Sequence, residues 1–147
     1  MKAVIQRVKQ ASVEVEGEIV GKILQGLLIF LGVAKEDTAQ QADYLVNKIT
    51  QLRIFEDADG KMNLSMQETK AEILVVSQFT LYGDCDKGRR PSFDKAADPK
   101  KAEELYHHFI EQFKKQNFKV EAGRFRAMMD VHLVNDGPVT FIIESKD

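Results

Sequence analysis

The sequence is poor in the devices that small secreted proteins use for crosslinking. It holds one cysteine, Cys85, in 147 residues. No intrachain disulfide can form, and a reducing compartment fits. It also lacks a long apolar run: Gly26 to Ala34 is the longest, far too short to cross a bilayer. The first residues, Met1-Lys2-Ala3-Val4-Ile5-Gln6-Arg7, have no signal-peptide pattern, which predicts a cytoplasmic protein. Charge of one sign is missing too. The formal net charge is −2, so there is no broadly basic surface for nucleic acid. A protein gripping only the end of an RNA needs just a local basic patch, so this absence excludes little.

Several catalytic and metal signatures are absent as well. The chain contains no phosphate-binding Gly-x-x-x-x-Gly-Lys-Ser/Thr loop, no Gly-x-Ser-x-Gly elbow and no paired cysteines. His107 and His108 are adjacent on a predicted helix and so face different directions, without the i, i+4 spacing of a metal pair. His132 alternates with Val131 and Leu133 on a strand, alone. Asp57-Ala58-Asp59-Gly60 starts like a calcium loop, but its glycine comes too early, and it reads as a hairpin turn. Neither a metal nor a cofactor is expected.

What is present is an ordinary globular composition, 44% hydrophobic and 30% charged. No linker or repeat divides it, so residues 1–147 are read as one domain. A chain of this length buries roughly 70% of its unfolded surface and can build a core. The first 35 residues alternate as strands, with a hairpin turn at Glu16-Gly17. Leu27 to Leu31 is apolar on both faces and reads as a central strand. A first helix is expected with Asp37 as cap and Gln40 as reciprocal partner, its stripe being Ala42, Leu45, Val46, Ile49 and Leu52. Asp98-Pro99 opens a second, whose stripe is Ala102, Leu105, Tyr106, Phe109, Ile110 and Phe113. Further strands are expected at 52–55, 71–78, 118–121, 127–134 and 139–144. Strands, then helix, then strands argue an α+β fold: a curved mixed sheet or open β-barrel with two packed helices.

Two stretches could carry chemistry. Ser77-Gln78-Phe79-Thr80-Leu81-Tyr82 follows the apolar strand Ile73-Leu74-Val75-Val76, placing polar groups where a strand end meets a loop. The same hydroxyls could simply satisfy backbone groups. Asn135-Asp136-Gly137-Pro138-Val139-Thr140 reads first as a turn between two strands. Lys87-Gly88-Arg89-Arg90 could clamp phosphates or be solvated surface.

Ser77-Gln78-Phe79-Thr80-Leu81 and Asn135-Asp136-Gly137-Pro138-Val139-Thr140 together resemble the paired signature of D-aminoacyl-tRNA deacylases. The likeness extends over the chain, through Ile5-Gln6-Arg7-Val8, Arg53-Ile54-Phe55-Glu56-Asp57, Gly60-Lys61-Met62-Asn63 and Arg89-Arg90-Pro91-Ser92-Phe93. One departure is visible: Gly123-Arg124-Phe125-Arg126-Ala127 has arginine where the family commonly has a second glycine. The resemblance implies a homodimer acting on the 3′ end of aminoacyl-tRNA, with two sites at the subunit interface. Ser77, Gln78, Phe79 and Thr80 would form the catalytic floor. Gly137 and Pro138, cis in the family and steadied by Arg7, would reach in from the other subunit to reject L-amino acids. Phe79 and the Met128-Met129 pair would lie near the terminal adenosine, and Lys87, Arg89 and Arg90 would meet RNA. Thr80 has no recognisable base partner, which favours catalysis assisted by the terminal ribose over a threonine nucleophile. A non-catalytic nucleic-acid-binding domain of the same fold is the alternative, and a small-molecule esterase using Thr80 a third.

Overall fold

The structure, a computed structural model, describes residues 1–146. The chain opens with β1 (Lys2–Val15), β2 (Glu18–Ile23) and β3 (Gly26–Gly32), followed by α1 (Ala39–Gln51). A small hairpin, β4 (Phe55–Glu56) and β5 (Met62–Leu64), precedes the short α2 (Met66–Thr69) and β6 (Glu72–Ser77). A 3-10 turn (Phe79–Tyr82), α3 (Pro99–Lys115), β7 (Val120–Ala122) and β8 (Asp130–Glu144) complete it. The main sheet runs β2-β1-β3-β6-β7, with β8 also pairing to β1. β3–β6 and β6–β7 are parallel; the pairs involving β1 are antiparallel.

This is the expected α+β class, a curved sheet closed almost into a barrel. The closure is visible at Gly21 on β2, where an added Cβ would lie 2.7 Å from the Ala122 carbonyl of β7. Only a residue without a side chain lets the two edges come so near. Leu27 to Leu31 is central as expected, flanked by β1 and β6. Its two faces feed two cores. Leu27, Ile29 and Leu31 pack with Ile5, Ile73, Val75 and the stripes of α1 and α3, whereas Leu28 joins Val8, Val13, Leu74 and Val76 inside the barrel.

β1 serves both cores by changing face. Val8 and Ala11 are three residues apart, yet both point into the barrel. Strict alternation cannot do that, so the exposed pair Lys9–Gln10 contains an inserted residue, and the pairing with β8 slips at the same place.

Three local expectations are corrected. Thr38, not Asp37, caps α1, and Gln41, not Gln40, reciprocates: the Thr38 N–H donates to Gln41 Oε1 at 2.8 Å. Asp37 is engaged elsewhere, accepting from the Met1 ammonium and from the Ala34 N–H, each at 2.7 Å. The strand expected at 52–55 shrinks to Phe55–Glu56 because Leu52 is the helix C-cap. The strands expected at 127–134 and 139–144 are one strand, β8, without a hairpin turn between them, since residues on both sides of Asp136–Val139 pair with β1. The helix α2 went unanticipated, although Ser65-x-x-Glu68 is a capping-box pattern and the Ser65 N–H does donate to Glu68 Oε1.

α3 follows expectation. Asp98 Oδ1 accepts from the Lys101 N–H at 3.1 Å, Pro99 occupies the first turn, and Leu105, Tyr106, Phe109, Ile110 and Phe113 are buried.

Candidate active site

A cleft of about 740 Å³ opens where β6 ends. Ser77, Gln78, Phe79 and Thr80 line one side; Phe93, Ala96 and Ala97 line another; Phe125 to Met129 and Val131 form the third. The apolar strand carries Val76 to the floor, and the chain then turns sharply. Gln78 donates its N–H to the Leu31 carbonyl at 2.8 Å, extending the β3–β6 pairing by one residue. From there the backbone tightens into the 3-10 turn, so Phe79 and Thr80 stand on a helical turn rather than on the strand end itself. Gly32 makes room for this turn: a Cβ there would meet Leu81 Cβ at 3.0 Å and the Gln78 carbonyl at 3.2 Å.

The turn is pinned from behind. Lys2 donates to the Leu81 carbonyl at 3.4 Å and lies over the Tyr82 ring at 5.0 Å. Burial, and then the carboxylates of Asp37 and Glu144, hold the Tyr82 hydroxyl protonated well beyond the ordinary tyrosine range. At the front, Phe79 is 55% exposed and meets Phe93 edge-on, ring centroids 5.0 Å apart. Met128, 91% exposed, and half-buried Met129 face this pair across the opening. The result is an apolar slot with polar groups at one end, suited to a flat ring carrying a reactive ester.

The polar end offers no acid–base machinery. The Thr80 hydroxyl accepts a hydrogen bond from the Gln78 amide, and an amide is not a base. His108 is bound to Asp43 at 2.8 Å and His132 to Glu14 at 3.3 Å; neither lines the cleft. Among the described residues no three His, Cys, Asp or Glu side chains come together to hold a metal. The backbone N–H groups of Phe79 and Thr80 open the 3-10 turn, and among the described residues they have no backbone acceptor outside it. Such donors suit a developing oxyanion.

Tyr106 braces the third wall. Its hydroxyl donates toward the Val75 carbonyl at 3.2 Å, with the Gly123 carbonyl at 3.4 Å, and its ring lies 5.7 Å from Phe125. Burial pushes its hydroxyl up to about 12. In the loop it supports, Arg126 has φ +63°, a conformation glycine adopts freely and other residues at a cost.

Of the residues expected at the site, the structure brings together Ser77, Gln78, Phe79, Thr80 and Met129. Lys87, Arg89 and Arg90 lie in the exposed loop between Asp84 and Ser92, which pair by two backbone bonds of 2.7 and 2.9 Å. This loop leads into Phe93, so the cations flank the cleft without lining it. Phe93 and Phe125 were not anticipated as cleft residues; an aromatic closing a basic loop was the available signal for the first.

Arg7, Gly137 and Pro138 lie apart from the cleft of their own chain. Asp136 to Val139 are the extra residues of β8, bulging opposite Arg7. Arg7 is 4% exposed; it donates to the Ile54 carbonyl at 2.9 Å and to the Asp136 carbonyl at 3.2 Å. Asn135 ties the bulge at its other end, its Oδ1 accepting from the Val139 N–H at 3.1 Å. Gly137 has φ +132°, the Gly137–Pro138 peptide bond is cis, and both residues are exposed.

Comparison with known proteins places this geometry. The family model described as D-Tyr-tRNA(Tyr) deacylase matches residues 4–144. The D-aminoacyl-tRNA deacylase of Desulfatibacillum aliphaticivorans is 61% identical over 146 residues, covering 99% of this chain and 100% of that one. The D-aminoacyl-tRNA deacylase of Thermosipho melanesiensis is 58% identical over 147 residues, covering 99% and 98%. The chain belongs to the D-aminoacyl-tRNA deacylase family. It is accordingly an enzyme, a hydrolase of the aminoacyl ester. Among solved structures, a chain titled c-Myc DNA Unwinding Element Binding Protein superposes with TM-score 0.93 at 44% identity, each chain fully covered. A probable eukaryotic D-amino acid tRNA deacylase superposes with TM-score 0.84 at 17% identity, covering 97% of this chain and 98% of that one, and shares the fold. Among the described residues no helix is long and apolar enough to cross a membrane.

Proposed function

We propose that the chain edits tRNA in the cytoplasm as a homodimer, removing D-amino acids, and glycine mischarged on tRNA(Ala), from the 3′ end while sparing L-aminoacyl-tRNA. The observation that carries this reading is the split arrangement of the two motifs. The Ser77–Thr80 turn lines an open cleft, whereas Gly137 and Pro138 project from β8, exposed and outside that cleft. A motif fixed from behind by a buried arginine and left bare in front is built to enter a partner's pocket. A second copy supplies that pocket, and the reciprocal insertion completes two sites.

In this reading the terminal adenosine stacks in the slot of Phe79, Phe93 and the Met128-Met129 pair, with Lys87, Arg89 and Arg90 meeting RNA beside it. A water oxygen attacks the ester carbonyl carbon. The carbonyl oxygen gathers negative charge against the N–H groups of Phe79 and Thr80, as in other oxyanion sites. The bond to the ribose oxygen then breaks, that oxygen takes the proton, and amino acid and tRNA leave. Thr80 has only an amide beside its hydroxyl, so the vicinal ribose hydroxyl is the better group to orient or deprotonate the water. Selection is by exclusion. The Gly137–Pro138 backbone would collide with an L side chain, and a rigid wall readily supplies the ~5.5 kcal/mol of a ~10⁴-fold preference. Glycine, having no side chain, passes.

The test is single-turnover deacylation of matched D- and L-tyrosyl-tRNA. Hydrolysis of the D form alone is expected; equal hydrolysis of both, or of neither, refutes the reading. A second reading, nucleic-acid binding without turnover, draws on the 44%-identical chain titled as a DNA-element-binding protein. It predicts DNA affinity through the Lys87–Arg90 loop and no hydrolysis.

A further inference from the structure

Arg126 stands at the mouth of the cleft with features that packing does not explain. It lines the same opening as Phe79, Thr80, Phe93 and Met128, and it is solvent-exposed. Its backbone holds φ +63°, a strained choice for a long side chain where glycine would be free of cost. Among the described residues no ion pair engages its guanidinium. The neighbouring Ala127 N–H donates to the Arg124 carbonyl at 3.2 Å, so the turn is closed by backbone and would form without an arginine.

We propose that Arg126 binds a backbone phosphate of the RNA as the strand leaves the cleft. The assignment rests on the proposed function, since it takes the ligand to be an aminoacyl-RNA end. Position selects phosphate over the other parts of that ligand. The ester belongs at the polar floor beside Thr80, and the base belongs among the aromatic and methionine side chains. What remains at the exposed rim is the phosphodiester leading outward. A guanidinium presents a planar fork that matches a phosphate in two hydrogen bonds. Lys87, Arg89 and Arg90 lie in the exposed loop after the 3-10 turn, and Arg126 lies in the loop after β7. Cations from two separate loops would hold a single strand in register, which one basic loop alone does not.

The experiment compares wild type, Arg126→Gly and Arg126→Lys, with Arg124→Gly as a neighbouring control, since Arg124 is exposed but does not line the cleft. Each is assayed on D-tyrosyl-tRNA and on phosphate-free D-tyrosyl-adenosine. For Arg126→Gly the preference for tRNA over the adenosine ester, as a ratio of kcat/KM, should fall about fivefold, the scale of one exposed ion pair. The slope of log(kcat/KM) for tRNA against log salt should flatten by about 0.7, the value for one single-strand phosphate contact. The change should appear in KM rather than kcat, with Arg126→Lys intermediate. Arg126→Gly should melt no lower than wild type, because glycine relieves the strained φ. An unchanged ratio and slope would overturn the proposal. So would an equal loss on both substrates, which would place the arginine against the amino acid or the adenosine. A wild type that hydrolyses neither substrate would overturn the functional reading itself, and the phosphate assignment with it.

Discussion

Gly137→Ala is the substitution whose outcome the geometry fixes most closely. At φ +132° the backbone lies where L side chains are rarely found, a cost of roughly 1–3 kcal/mol. Space is short as well. An added Cβ would sit 2.7 Å from Val139 Cγ2 and 3.1 Å from the Val139 nitrogen. Val139 is 6% exposed, and its N–H is already held by Asn135. Its side chain cannot swing into solvent, and moving its backbone forfeits a hydrogen bond of about 0.5–1.5 kcal/mol. The two terms sum to about 1.5–4.5 kcal/mol. For a chain near this length a kilocalorie shifts Tm by roughly 2–4 °C, so Tm should fall by about 3–18 °C and the chain should still fold. The bulge should also shift, weakening the bond from Arg7 to the Asp136 carbonyl. Deacylation of D-tyrosyl-tRNA, or its preference over the L form, should then drop by at least about tenfold, the ~1.4 kcal/mol of a modest displacement. Gly17→Ala is the control. Gly17 also has positive φ, +81°, but an added Cβ there meets nothing within 4 Å. It should lower Tm and leave stereoselectivity alone. A Gly137→Ala protein with Tm within about 1 °C of wild type and an unaltered D:L ratio would refute the reasoning.

Two further outcomes follow from the site. Thr80→Ala should retain most turnover, within about tenfold, while a substrate whose terminal ribose carries hydrogen at 2′ and the ester on the 3′ oxygen should be inert; the reverse pattern in the same single-turnover assay would make Thr80 the nucleophile. Tyr106 ties stability to high pH. Its folded value, about 12, exceeds the ordinary tyrosine value of 10.0, so its contribution is complete below 10 and is lost as pH climbs to 12. Thermal melts from pH 9 to 12 should show Tyr106→Phe losing less stability than wild type across that interval; parallel curves would contradict this.

Much of the fold was legible because its signals are local. Ala3-Ile5 and Ala11-Val13-Val15 alternate, the apolar faces of α1 and α3 repeat at helical spacing, and Asp98-Pro99 marks a helix start. The floor of the cleft was legible in the same way, since Ser77–Thr80 follows an apolar strand. The failures have long-range causes. Asp37 looked like a cap until a buried ammonium 36 residues away claimed its carboxylate. Asn135–Thr140 has the composition of a turn, and only pairing with β1, some 130 residues distant, makes it a bulge within one strand. For Arg126 the one hint of its positive φ was that it stands where the resembled family commonly has glycine, while the residue type itself argues against the conformation. Phe125 carried no mark that the loop after β7 would fold across the end of β6.

The same bulge explains how a rigid, exposed backbone segment can be built on an edge strand. A hairpin turn in that place would leave its tip held by two strands at one end only. Here β8 pairs with β1 before the bulge, through Val8–Asn135, and after it, through Gln6–Thr140. The four residues between are therefore anchored at both ends, and the buried Arg7 fills the space beneath them. Its two carbonyl bonds, to Ile54 and Asp136, are worth more than its contacts with Glu56 and Asp136 Oδ2, which are 3.5 Å long to carboxylates 57% and 27% exposed. Arg7 thus acts mainly as a hydrogen-bonding brace that joins the bulge to the β4 region. β1 supplies the brace and the pairing on both sides, and the residue inserted at Lys9–Gln10 lets the next residues of that strand turn into the barrel whose mouth is the cleft. One strand thus fixes the exposed Gly137–Pro138 segment and contributes Val8, Ala11 and Val13 to the barrel core. A slip in its register would disable both.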